Sequence, residues 1–217
     1  RKNIIILLIG FALMTIAIVM SLQFGTKNYT ISTVLEAVFN YKANVVEHQI
    51  IYEIRLPRAL AAALIGSFLA LSGCIMQVLT RNPLAEPQLL GVSYGAAFAL
   101  VVTLAFFPTL SLTGTMIAAI IGAGVAVVVV FALASMSKGA GGPVKLALAG
   151  VALGMFLSSL TSCISLYFNV AKDMSFWYAG GLSTIGWHSV KVLVIAGIAG
   201  FVLVTVIARA LTVLHLG

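Results

Sequence analysis

Two arginines three positions apart, Arg55 and Arg58, flank Pro57 at the mouth of a long uncharged run. Guanidinium groups favour bidentate pairing with carboxylates, so the pair can dock an acidic partner. They can equally snorkel to lipid phosphate. Pro57 disfavours helical backbone immediately before it, which predicts a helix beginning at the arginines. A second polar set is Ser158, Ser159, Thr161, Ser162 and Ser165, with Asn169 behind them. Hydroxyls in an apolar helix can satisfy themselves on backbone carbonyls or neighbouring helices. Five within eight residues also suit one face of a helix on a water-accessible path for a bulky polar solute.

Other chemistries lack their residues. His48, His188 and His215 stand apart, with no H-E-x-x-H and no Cys/His cluster for metal ligation or hydrolysis. There is no G-x-x-x-x-G-K-[ST] loop, so this chain is not expected to hold ATP. The long apolar blocks contain no acidic residue, and their one base is Arg209. Ion-coupled transporters use intramembrane carboxylates and histidines as relays, so the energy source is expected elsewhere.

The elements that must carry these residues are membrane helices. Of the 217 residues, 62% are hydrophobic and 8% charged, against roughly 25% charged in soluble domains. The apolar residues fall into six blocks near the ~20 residues needed to cross a bilayer: Ile4–Phe24, Ala59–Thr80, Leu89–Phe107, Thr115–Met136, Leu146–Phe168 and Val192–Leu214. Arg1-Lys2 before the first block mimics a signal peptide, but the block is too long and lacks a cleavage site, so a retained first helix is predicted. With the N-terminus inside, cytoplasmic and outer cations balance at six each. The leading Arg1-Lys2 pair tips the positive-inside rule towards a cytoplasmic N-terminus.

Several smaller features complete the reading. Thr33-Val34-Leu35-Glu36 fits a capping box, with Val34, Leu35, Val38 and Phe39 as the apolar side of a short surface helix. Ser175-Phe176-Trp177-Tyr178 before Gly180-Gly181 suits an interfacial or re-entrant segment. Gly91/Gly95, Gly150/Gly154 and Ala62/Gly66/Ala70 have helix-packing spacing. Cys74 and Cys163 lie at different depths and are expected to be unpaired packing residues. The twelve Lys and Arg form no basic run, which argues against nucleic acid.

Arg55-Leu56-Pro57-Arg58, followed by LSGCIMQVLTRNPLAEPQLLGVSYGA, resembles the permease subunits of bacterial ABC importers for iron-siderophores, haem and vitamin B12, the FecCD family. Leu148–Gly154 and Met174–Leu182 are similar to later family blocks, so the resemblance covers essentially the whole chain. It implies an all-α, polytopic transmembrane bundle of the type II, vitamin B12 permease-like fold, in the bacterial cytoplasmic membrane. The family has about ten spans, and the chain is expected to hold six of them. The resemblance further implies a second permease subunit, two ATPase subunits that use the ATP, and an extracytoplasmic binding protein that delivers the chelate.

In that family Arg55 and Arg58 would face the binding protein. Arg81, Asn82, Pro83, Leu84, Ala85, Glu86 and Pro87 would lie at the cytoplasmic gate, together with the Gly139–Val144 turn carrying Gly142, Pro143 and Val144. Ser158, Ser159, Ser162, Ser165 and Asn169 would line the path. A ferric siderophore, hydroxamate type, is the expected cargo, with haem or vitamin B12 as alternatives. A non-transporting membrane scaffold and a secondary transporter are the competing classes.

Overall fold

The computed structural model of the chain describes residues 2–136, 142–182 and 185–216. Its helices are α1 (Lys2–Gln23), α2 (Ile31–Phe39), α3 (Val46–Gln49), α4 (Leu56–Thr80), α5 (Val92–Phe106), α6 (Leu112–Met136), α7 (Gly142–Tyr167), α8 (Ala171–Tyr178) and α9 (Trp187–Leu216). Among the described residues, five helical stretches are long and apolar enough to cross a bilayer: Asn3–Gln23, Val46–Thr80, Leu112–Met136, Val144–Tyr167 and Trp187–Ala208. The sixth apolar block folds differently. Its helix α5 has only 15 residues, about 22 Å of rise, because the block opens as a 3-10 turn, Pro87–Leu90, and Gly91 then breaks the line with φ 72°.

The chain divides into two compact units, Arg1–Ala70 with Leu182–Ile207, and Leu71–Gly181 with Ala208–Gly217. The first has a core of Leu22, Tyr29, Val34, Ala37, Ile51 and Ala59. Here α2 starts one turn earlier than the capping box at Thr33 predicts. Thr30 is the N-cap, and its Oγ1 accepts from the Thr33 backbone N–H. Val34 and Ala37, one turn apart, face the core, while Leu35 and Phe39 point outward.

Nor does the helix begin at the arginines. Chain from Val46 runs unbroken to Thr80, 35 residues, through a π-helical turn at Ile50–Arg55. The Leu56 N–H donates to the Ile51 carbonyl five residues back. In that register the next donor would be the nitrogen of Pro57, which carries no hydrogen. The carbonyl it leaves open, that of Tyr52, accepts instead from Trp187 Nε1 at 3.1 Å. The π register and an outside donor thus let a buried proline sit inside a helix. The same extension places Glu47 and Glu53 on a helix. At 35 residues it is about 52 Å long, so its first turns extend beyond a ~30 Å hydrocarbon core.

The second unit is built on glycine contacts. A Cβ on Gly95 would collide with the Gly122 carbonyl, and one on Gly122 with that of Gly95, so α5 and α6 cross backbone to backbone. A Cβ on Gly150 would overlap the Leu89 carbonyl, and one on Gly154 would fall 2.6 Å from the Tyr94 ring. Gly95, Gly150 and Gly154 therefore serve close packing, whereas Gly91 supplies the left-handed residue before α5, and a Cβ there would lie 3.7 Å from Val130. Gly66 does not pack closely, having nothing within 4 Å of its missing Cβ. Cys74 and Cys163 are free but exposed, so neither packs as expected.

Candidate functional site

The two expected ends of the site sit at the two ends of α4. At its start, Arg55 and Arg58 are both half-buried. The Arg55 guanidinium turns inward: Nη1 donates to the carbonyls of Leu22 at 2.8 Å and Gln23 at 3.2 Å, and Nη2 to that of Lys27. Its face lies over the Tyr29 ring, 4.7 Å from the centroid. Lys27 in turn pairs with Glu47 at 3.1 Å. Beside this cluster Tyr41, Tyr52 and Trp187 stack in series, with ring centroids 4.8 and 5.1 Å apart. The Tyr41 hydroxyl donates to Glu53, and this bond holds the phenol above its ordinary pKa. Sequence reasoning missed Tyr29, Gly25 and Trp187. Its one available signal was Pro57, which demands an outside hydrogen-bond donor if the helix continues through it.

At the other end α4 closes in a Schellman motif. The Asn82 N–H donates to the Gln77 carbonyl and the Arg81 N–H to that of Val78, with Arg81 in the left-handed region at φ 50°. Asn82 Oδ1 then accepts from the Leu84 N–H at 3.0 Å, and its backbone carbonyl from Ala85 at 3.1 Å. Ala85 is buried, whereas Pro83 and Glu86 are exposed and Leu84 is 88% exposed. Pro87 opens the 3-10 turn. A cavity of about 450 Å³ lies against this turn, lined by Cys74, Gln77, Val78, Arg81, Asn82 and Pro83.

The remaining expected residues lie on α7. Gly142 and Val144 are exposed in its first turn. Of the expected turn at 139–144, residues 139–141 and the Pro143 side chain lie outside the described residues. The serines divide. Ser158, Ser159 and Ser162 are exposed on one face, with Ser159 Oγ donating to the Met155 carbonyl at 2.9 Å. Thr161 and Ser165 are buried, although Ser165 lies two turns on from Ser158, on the same side of the helix. Asn169 ends the helix in a second Schellman motif. It is left-handed at φ 57°, its N–H bonds the Leu166 carbonyl and that of Val170 bonds Ser165. Asparagine is among the few side chains that tolerate this conformation.

The model of the FecCD transport family matches residues 13–217. The chain belongs to that family. It is similar to the Iron(3+)-hydroxamate import system permease protein FhuB of Bacillus subtilis (strain 168), at 45% identity over 99% of this chain and 56% of that protein. It is also similar to the Ferric enterobactin transport system permease protein FepD of Escherichia coli (strain K12), at 42% identity over 94% of this chain and 61% of that one. A solved structure of a metal-chelate type ABC transporter in an inward-facing conformation superposes with a TM-score of 0.78 and 26% identity, over 97% of this chain and 65% of that one. The chain thus spans 56% and 61% of the length of these two curated relatives.

Proposed function

We propose that this FecCD chain forms part of the path of an ATP-driven importer, moving a ferric siderophore of hydroxamate type inward across the bacterial cytoplasmic membrane. The observation that carries the reading is 45% identity along 99% of the chain to a hydroxamate import permease. The ferric chelate is cargo; this chain supplies a path and docking faces and performs no bond chemistry. ATP is hydrolysed by two separate ATPase subunits, and a second permease subunit completes the path. With the N-terminus in the cytoplasm, the start of α4 faces an extracytoplasmic binding protein. Arg81–Pro87 and Gly142–Val144 then lie at the cytoplasmic mouth and gate it.

The exposed serine face of α7 supports a path-lining role for Ser158, Ser159 and Ser162. Ser165, buried on the same side of the helix, and the exposed Asn169 at its end complete the candidate lining. For docking, Arg55 and Arg58 are the candidate pair, and the Arg55 guanidinium also holds three backbone carbonyls.

Reconstituted full-length permease with its ATPase and binding protein tests this. Arg58→Glu should abolish stimulation of uptake by the binding protein while leaving the assembly intact. Single cysteines at Ser158 and Ser162 should react with a water-soluble reagent in a nucleotide-dependent manner. Protection of both in every nucleotide state would favour a membrane scaffold.

A further inference from the structure

We propose that His48 makes the connection between α2 and α3 a pH-sensitive strap, closed on the neutral imidazole and released when the ring takes up a second proton. The strap stands on its own geometry; only its place on the outer face rests on the function proposed above. The connection turns at Lys42–Val45, where the Val45 N–H donates to the Lys42 carbonyl at 3.1 Å. The Lys42 N–H itself donates to His48 Nδ1 at 3.2 Å. An imidazole accepts only through a ring nitrogen without a proton, and an imidazolium donates through both. This bond therefore exists for the neutral ring alone. His48 is also only 2% exposed, so a charge on it would be short of water. Both effects push a protonated ring the same way, towards opening.

The charged groups nearby are engaged elsewhere or repel. The elements packed against α3 are α2 and the π turn. On α2, Glu36 is exposed to solvent. On α3 itself, the Glu47 carboxylate pairs with Lys27 at 3.1 Å. In the π turn, Glu53 accepts from the Tyr41 hydroxyl, and Arg55 serves backbone carbonyls. Lys42 adds a like charge from the strap. Two further ties hold the strap: Gln49 Nε2 donates to the Ala43 carbonyl at 2.6 Å, and Tyr41 is held by Glu53 and stacked on Tyr52. Imidazole is the side chain that changes charge near neutral pH, so of these three ties the Lys42 bond is the one that switches there.

The test uses full-length permease in proteoliposomes, with native cysteines replaced and a nitroxide attached through Asn44→Cys, an exposed position in the turn. It reads no uptake, so failure of the transport reading leaves it intact. Between about pH 8 and about pH 5, on either side of the ordinary imidazole range, the ratio of mobile to immobile label should rise roughly tenfold, as an unmade buried hydrogen bond implies. In His48→Asn the side-chain oxygen can accept in place of Nδ1 and takes up no proton, so the label should stay immobile at both values. His48→Leu has no acceptor and should leave the label mobile at both. Glu47→Gln and Glu53→Gln should retain the transition, which separates the ring from the carboxylates. Should His48→Leu fail to assemble, wild type against His48→Asn carries the test. A wild-type spectrum unchanged across this range overturns the strap. So does a transition of full size in His48→Asn, or its loss in either glutamine variant.

Discussion

Adding one methyl group at Gly150 tests the packing that holds the 81–87 turn in place. A Cβ there would overlap the carbonyl of Leu89, which belongs to the 3-10 turn Pro87–Leu90. Even a close carbon–oxygen contact sits at about 3.3 Å, so α7 or the 3-10 turn must retreat. Overpacking costs about 1–3 kcal/mol where side chains can yield. Here both partners are backbone, which puts the cost at the upper end, about 3 kcal/mol. Replacing a helical glycine with alanine returns about 1 kcal/mol of propensity. The net loss for Gly150→Ala is thus about 2 kcal/mol, roughly a thirtyfold drop in the folded ratio. Gly66→Ala and Gly124→Ala are the controls, since nothing lies within 4 Å of either missing Cβ. These should be neutral or stabilising by up to about 1 kcal/mol. Reversible unfolding of the isolated permease in mixed micelles, followed by tryptophan fluorescence, measures all three. A Gly150→Ala stability indistinguishable from wild type, or a Gly66→Ala loss as large, would refute the reasoning.

Three further outcomes follow from the geometry. Trp187→Phe keeps the stack on Tyr52 but removes the donor to its carbonyl, and should cost about 1–3 kcal/mol. In a Pro57→Ala background, where the backbone regains its N–H, the cost should shrink, as a double-mutant cycle would show. At the two Schellman caps, Arg81→Gly should stabilise by about 1 kcal/mol and Asn169→Gly should be neutral, whereas Asn169→Ala should cost about 1 kcal/mol; thermal unfolding reads each. The bond from Tyr41 to Glu53 holds the neutral phenol, so its contribution is present below the ordinary tyrosine pKa and is lost as pH rises through the raised value. Glu53→Gln should move the Tyr41 ultraviolet titration to lower pH.

Membrane helices were legible because apolar blocks of about 20 residues have no other common use, and the spacing of Gly150/Gly154 correctly signalled close packing, as did Gly95 but not Gly91. What stayed hidden depends on backbone register and long-range partners. The proline rule assumes an α-helical register, so it could not foresee a π turn at Ile50–Arg55 or a donor 135 residues away at Trp187. The capping box at Thr33 competed with an N-cap at Thr30, whose Oγ1 accepts from the Thr33 N–H. Composition alone gave Asn169 and the α7 serines one shared polar role. The fold puts Asn169 in a left-handed cap and buries Thr161 and Ser165, while Ser158, Ser159 and Ser162 are exposed. Arg55 likewise looked equivalent to Arg58, because the carbonyls it serves lie on another helix.

The central claim is tested most directly by uptake of an iron-labelled hydroxamate siderophore into proteoliposomes holding the full-length permease with its ATPase and binding protein. The expected uptake requires both ATP and the binding protein, ignores an imposed proton gradient, and is competed by unlabelled ferric hydroxamate but not by a ferric catecholate. Uptake driven by the proton gradient in the absence of the ATPase would contradict it.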